Sequence, residues 1–303
     1  MSFSLLSSKQ DKKKSLPRRH PVLFPFVVFI CLLIVYQFFG EAVVTPGIGI
    51  VEVNGVILES EPIVKKLRIL ESDPAVRGII VRINSPGGAV SPSQEIYSEI
   101  LRLKKKKKVY VSISSTAASG GYYIAIAADK LFANPGSMIG SIGVIIQTFN
   151  VEGLMDKLGI KSEVIKAGKN KDIGSAFRQM KPSEKILLEK VVKDTHEQFI
   201  TAVADSRSLD IKKVREIADG RVFTGNQAKD TGLIDEVASF RQTAEHMRLD
   251  LDIQEQMSLV YPTSREEILD SLVDLESLLN IGKFVEQNGL FYLATPLLEN
   301  GIN

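Results

Sequence analysis

The stretch "VYVSISSTAASGGYYIAIAAD", Val109–Asp129, decides how the chain is read. Its first seven residues, "VYVSISS", are β-branched or aromatic residues alternating with small polar ones, the pattern of a strand. "GGYYIAIAAD" then reads as a helix, so Ser119 falls at a strand-to-helix junction, followed by Gly120 and Gly121. Working outward, "VRGIIVRINSPGG" (Val76–Gly88) is a buried strand ending in Pro and Gly, and "GIGIVEVNGVI" (Gly47–Ile57) is a strand with a turn-forming Asn54-Gly55. Between them "SEPIVKKLRILES" (Ser60–Ser72) has helical spacing. "SPSQEIYSEILRLKKKKK" predicts a helix capped by Ser91 with Pro92 at its first position. Lys104–Lys108 suit a solvated helix C-terminus. "KLFANPGSMIGSIGV" and "KSEVIKAG" read as short strands and loops. Strands separated by helices imply parallel βαβ units and an α/β fold.

The chain has 303 residues, 44% of them apolar, enough for one large domain or two small ones. A net charge of +2 gives no global affinity for polyanions, and no nucleic-acid partner is expected. The single cysteine, Cys31, excludes an intrachain disulfide and a Cys-rich zinc site; neither metal nor cofactor is expected. Basic residues are concentrated locally: Lys9, Lys12, Lys13, Lys14, Arg18 and Arg19 face only Asp11. Next comes "PVLFPFVVFICLLIVYQFFG", Pro21–Gly40, uncharged throughout. A membrane-spanning helix needs about 20 such residues, and Pro25 stands near the start, where a helix tolerates it. No good signal-peptide cleavage site follows. The expected layout is a basic cytoplasmic tail (1–20), a transmembrane anchor (21–40), a tether (41–46) and an exported body.

Further on, Pro182–Arg207 is a long amphipathic helix whose stripe is Ile186, Leu187, Val191, Val192, Phe199 and Val203. "DIKKVREIADGRVFTGNQAKDTGLIDEV" reads as helix, turn, helix, strand. Residues 47–241 form the expected catalytic domain. Residues 242–303 form a C-terminal helical region of open role, in which Ser264–Phe284 has helical periodicity and many acids.

Ser119 by itself could be a helix N-cap. A second glycine turn, "NSPGG" (Asn84–Gly88), also closes a buried strand, and ligands of open α/β sheets bind at the C-terminal strand ends. Two such turns could aim N–H groups at one carbonyl oxygen. The histidines, His20, His196 and His246, lie away from these turns and read as surface residues. A lysine can replace histidine as base. "KAGKNKDIGS" offers Lys166, Lys169 and Lys171, among which spacing does not choose.

The motifs "VRINSPGG", "AASGGYYIAIAADKLFANPGSMIGSIGVI", "NKDIGSAFR" and "GRVFTGNQAKDTGLID", in this order, closely resemble the signal peptide peptidase A (protease IV) family in its short bacterial form. The resemblance covers roughly residues 47–237 and implies a Clp/crotonase-type βαβ superhelix. It implies Ser119 as nucleophile and Lys171, 52 residues later, as general base. Ser141 would orient the lysine. Gly88 and Gly120 would supply the oxyanion hole, with Gly87 an alternative to Gly88. Clp proteases carry a histidine about two dozen residues after the serine; "SMIGSIGV" has none, in keeping with a Ser–Lys dyad. The resemblance further implies remnant signal peptides as substrates and a dome-shaped homo-oligomer on the cytoplasmic membrane, with the dyad shared between neighbouring chains. The rival readings are a stomatin-associated type of membrane serine protease, a crotonase-like acyl-CoA enzyme, and an inactive membrane scaffold.

Overall fold

The computed structural model of the protein describes residues 46–254 and 257–262, the backbone of 291–293, and the helical residues 26 and 28–30. The chain divides into two units, Met1–Val44 and Thr45–Asn303. In the first, Phe26, Val28, Phe29 and Ile30 are helical and exposed; the rest of the expected anchor lies outside the described residues. Among the described residues no helix is long and apolar enough to cross a membrane.

The second unit is α/β, built on a mostly parallel sheet. Strands β1 (Gly47–Ile57), β2 (Val76–Ala89) and β3 (Lys108–Ala118) are joined by helices α1 (Glu61–Ser72) and α2 (Val90–Leu103) and pair in parallel. Beyond β3 the sheet forks. β4 (Lys130–Ala133) pairs with Tyr110–Ile113, and β5 (Met138–Gly140) pairs with Thr116–Ala118, both parallel. Short strands β6 (Val222–Phe223), β7 (Glu236–Val237) and β8 (Ser258–Val260) join β5, β4 and β1. Strand β9 (Phe291–Leu293) runs antiparallel along the end of β2.

The near-continuous apolar runs follow from burial on both faces. Along each central strand alternate side chains serve two cores. Val51 and Val53, Ile79 and Val81, and Val111 and Ile113 pack with the helices of one face. Ile48, Ile50, Ile80 and Tyr110 turn to the other face, where Phe132, Ala244 and Met247 meet them. Tyr110 and Phe132 stack with ring centroids 5.5 Å apart.

Four expectations are revised by packing. Helix α2 starts at Val90, directly from β2, rather than after a Ser91 cap; Pro92 still falls in the first turn, where its missing N–H is not needed. Helix α5 (Pro182–Arg207), preceded by α3 (Gly120–Ala125) and α4 (Glu152–Lys157), has its expected bounds. Its apolar stripe is used only in the second half, because only that half reaches the sheet layer. Phe199 and Val203 are buried, while Ile186, Leu187 and Val191 are exposed. The lysine run is not simply solvated: Lys107 Nζ donates to the carbonyls of Leu70 (2.8 Å) and Asp73 (2.7 Å), closing the C-terminal end of α1. Helices α6 (Ile211–Ile217) and α7 (Gly225–Asp230) follow as read. The division after Arg241, however, falls inside α8 (Phe240–Asp250), whose Ala244 and Met247 belong to the second core. The acidic helix expected over Ser264–Phe284 lies outside the described residues.

Candidate active site

The C-terminal ends of β2, β3 and β5 converge, and four of the five expected site residues stand on them. Ser119 ends β3 and heads α3. It is 1% exposed, and its backbone adopts φ 52°, ψ −119°, an arrangement that costs a non-glycine residue of order 1–3 kcal/mol. The strain is held by the surroundings: Ser119 N–H donates to Gly140 O (2.7 Å), and its own carbonyl accepts from Tyr123 N–H (2.9 Å). Below it, α3 is fully buried, with the Tyr122 hydroxyl donating to Leu233 O (2.7 Å) and the Tyr123 ring against Phe199 at 5.0 Å. Burial pushes the Tyr122 phenol far above its ordinary value, so it stays neutral and serves as a structural donor. Ser119 Oγ is buried and has no hydrogen-bond partner among the described residues.

The pairing of Ser119 with Gly140 brings Ser141 beside it. Ser141 also has a left-handed backbone, φ 50°, and its N–H donates to Arg221 O (2.8 Å). Gly120, the first residue of α3, carries an N–H that no intrahelical carbonyl can accept. Across from it lies the end of β2. A Cβ on Gly121 would come within 2.9 Å of Ser85 O, so the glycine lets α3 approach the strand. Ser85 is fully buried and its Oγ accepts from Gly87 N–H (3.1 Å), which occupies that amide. Gly88 lies against β1: a Cβ there would meet Ile57 O at 2.1 Å. Gly87, Gly88 and Ala89 pair with Leu293, Tyr292 and Phe291 of β9, so this end of β2 accepts an antiparallel strand.

Lys171 is carried not by a strand end but by the stretch between α4 and α5. It is exposed, in a turn where its N–H donates to Gly168 O (3.2 Å), and Ser119 Oγ makes no hydrogen bond with it. Lys166 pairs with Asp172. His196 was read as a surface residue, but it is half-buried and its Nε2 lies 3.2 Å from Ile142 O, one residue beyond Ser141. It faces that carbonyl and makes no hydrogen bond with Ser119 Oγ, which has no partner among the described residues. His246 lies on the opposite face, against Phe132 and Glu236. His20 is outside the described residues. Sequence reasoning did not find Ser85 and Gly140, whose backbone and hydroxyl contacts shape the site; only their nearness to the glycine motifs could have signalled them. No cluster of acids, histidines or cysteines able to hold a metal occurs among the described residues.

A strained, buried serine between a helix N-terminus and a glycine strand end places this α/β protein among those that act at the C-terminal edge of a parallel sheet. Residues 101–254 match peptidase family S49. Over 191 residues the chain is 42% identical to a protein of Synechocystis sp. assigned as a protease, covering 62% of this chain and 69% of that one. A protein of Enterococcus faecium assigned as signal peptide peptidase SppA is 39% identical over 57% of this chain and 50% of its own length. The chloroplastic serine protease SPPA of Arabidopsis thaliana is 38% identical over 64% of this chain and 28% of its own. The match thus spans half or less of the last two relatives. The chain belongs to peptidase family S49 and is similar to its members assigned as signal peptide peptidase SppA.

Proposed function

We propose that this chain is a membrane-anchored serine endopeptidase that uses Ser119 as nucleophile and Lys171 as general base to degrade cleaved signal peptides and similar apolar peptides. The observation that carries the reading is Ser119: a strained, buried hydroxyl with no hydrogen-bond partner among the described residues, at the head of α3. Strain of this kind persists where function needs it. A peptide would lie antiparallel along Gly87–Ala89, as Phe291–Leu293 do. Its carbonyl carbon is attacked by Ser119 Oγ while neutral Lys171 accepts the proton, with Ser141 orienting the amine. The oxyanion is held by the N–H groups of Gly88 and Gly120; Gly87 is disfavoured because its N–H already serves Ser85. Losing one oxyanion donor typically raises such a barrier by about 3–4 kcal/mol. The amine leaves with the proton, and water assisted by Lys171 hydrolyses the acyl-enzyme.

The exposure of Lys171, and the lack of a hydrogen bond from it to Ser119 Oγ, support a shared site in a homo-oligomer. Lys171 lies in a stretch, residues 143–183, in which no residue is buried. That stretch exposes Phe149, Leu154, Leu158, Ile160, Val164 and Ile165. A second copy would cover these side chains, bring its own Lys171 to Ser119, and exclude the water that keeps a lysine charged. The Clp/crotonase-type superhelix of the resemblance, and the single-pass anchor at 21–40 and exported body read from the hydropathy and charge pattern, belong to the same proposal. A fluorophosphonate probe should label Ser119. Ser119→Ala should abolish labelling and peptide hydrolysis while the protein stays folded. A Lys171→Ala variant with near-normal turnover would refute the dyad.

A further inference from the structure

The stretch that carries Lys171 has no buried residue between Ile142 and Glu184, so packing cannot fix where the lysine points. Polar contacts must do it, and they meet at one side chain. Arg178 Nε donates to Asp172 Oδ2 (2.8 Å). Its Nη2 donates to Asp172 O (3.0 Å) and Glu184 Oε1 (2.7 Å). Its Nη1 donates to Glu184 Oε2 (2.8 Å) and Gln179 O (3.0 Å). A guanidinium has five N–H donors in a rigid fork, and here all are engaged.

The two ends of this clasp differ. Asp172 is the residue next to Lys171. Glu184 is 1% exposed, accepts also from Lys181 N–H (3.0 Å), and closes the first turn of α5. Helix α5 is in turn rooted in the core by Phe199, Ile200 and Val203. Arg178 therefore links the neighbour of the lysine, through a buried carboxylate, to the same helix that packs against α3 beneath Ser119. Secondary ties come from Lys166 to Asp172 and from Gln179 N–H to Glu152 of α4 (2.9 Å).

We propose that Arg178 is a positioning residue for catalysis: by clamping Asp172 to Glu184 it sets the direction in which Lys171 offers its amine. The inference rests on Lys171 being the base. Arg178, with Lys166, also holds the Asp172 carboxyl well below the usual carboxylate range, and Arg178 lowers that of Glu184 to about 2. Both therefore stay charged and clasped wherever the enzyme works. The charges around Lys171 are the cations Lys166, Lys169 and Arg178 and the anions Asp172, Glu184 and Glu152.

The test is steady-state hydrolysis of an apolar peptide by the full chain across pH at low salt, with Arg178→Ala, Arg178→Lys, Asp172→Asn and Lys171→Ala compared. A base displaced by about 1 Å can cost up to about 100-fold in rate. Arg178→Ala and Arg178→Lys should lower kcat by about 10–100-fold, with KM within about twofold of wild type. A unit charge on a neighbouring side chain in water-like surroundings moves a titration by roughly a few tenths of a pH unit. The acid limb of kcat/KM should rise by about that much in Arg178→Ala, where Asp172 loses a counter-charge. It should fall by a similar amount in Asp172→Asn and stay in place in Arg178→Lys. A purely structural role would lower the melting temperature without moving kcat or the limb, and that result overturns the proposal. So does wild-type turnover of both arginine variants beside an inactive Lys171→Ala, which leaves the dyad intact. An active Lys171→Ala removes the dyad and this proposal with it. If Arg178→Ala does not fold, Arg178→Lys and Asp172→Asn decide by the same criteria.

Discussion

Replacing Gly88 with alanine tests how β1, β2 and the site are joined. The added methyl would lie 2.1 Å from Ile57 O, 2.6 Å from Ile57 N and 2.7 Å from Ile57 C, all backbone atoms that no rotamer change can move. Restoring van der Waals contact requires the strand ends to separate by about 1 Å, since atoms pack at about 3.5 Å or a little less. The pairs Val56↔Gly87 and Ile57↔Gly88 are the last two of the β1–β2 ladder, so separation there sacrifices one or two hydrogen bonds at about 1 kcal/mol each. Overpacking strain adds about 1–3 kcal/mol. A loss of about 2–5 kcal/mol follows, or about 4–20 °C in melting temperature for a domain of this size. Gly136→Ala is the control: its Cβ meets nothing within 4 Å, and stability should change by no more than about 0.5 kcal/mol. Denaturant unfolding of the two variants beside wild type measures both. Peptide hydrolysis should fall further in Gly88→Ala than stability alone explains, because its N–H is displaced. A Gly88→Ala protein as stable and active as Gly136→Ala would show that the close approach of β1 and β2 is not as described.

Other outcomes follow from the same structure. Ser119→Gly relieves a backbone that costs a serine of order 1–3 kcal/mol, so the inactive variant should unfold about 1 kcal/mol later than Ser119→Ala. Phe199→Ala removes a fully buried ring that supports Tyr123 and should cost about 3–5 kcal/mol in chemical denaturation, with labelling of Ser119 lost in parallel. Hydrogen bonds from Arg102, then Lys106, lower the Glu71 carboxyl from 4.5 to about 2. The stabilisation it provides is therefore complete above about pH 4.5 and disappears as pH falls towards about 2; Glu71→Gln should flatten acid unfolding in that window and leave neutral pH less affected by titration. Placing glutamate at both Leu158 and Ile165 should dissociate the proposed oligomer in light scattering and abolish hydrolysis without lowering single-chain stability; retained assembly would place the interface elsewhere.

Much of this protein could be read from short stretches. The alternation of strand and helix from Gly47 to Leu103 is legible because a parallel sheet covered on both faces demands continuous apolar strands, and helices of 3.6-residue period must bridge them. Ser119 and the glycine turns stand out because strained turns and close backbone approach restrict residue type within a few positions, whereas Ser141 is named only through the family resemblance. Tertiary structure alone decided the rest. Which half of α5 packs depends on where the sheet layer ends, and its apolar periodicity runs through both halves alike. That Gly87 N–H is taken by Ser85, that Lys107 closes α1, and that His196 meets Ile142 O are contacts between groups whose spacing in the chain does not encode them. The exposure of Lys171 is the sharpest case. The family resemblance pairs it with Ser119, yet a segment without a buried residue has no core to pull its lysine inward, and Arg178 and Glu184 tie its neighbour Asp172 to α5 instead.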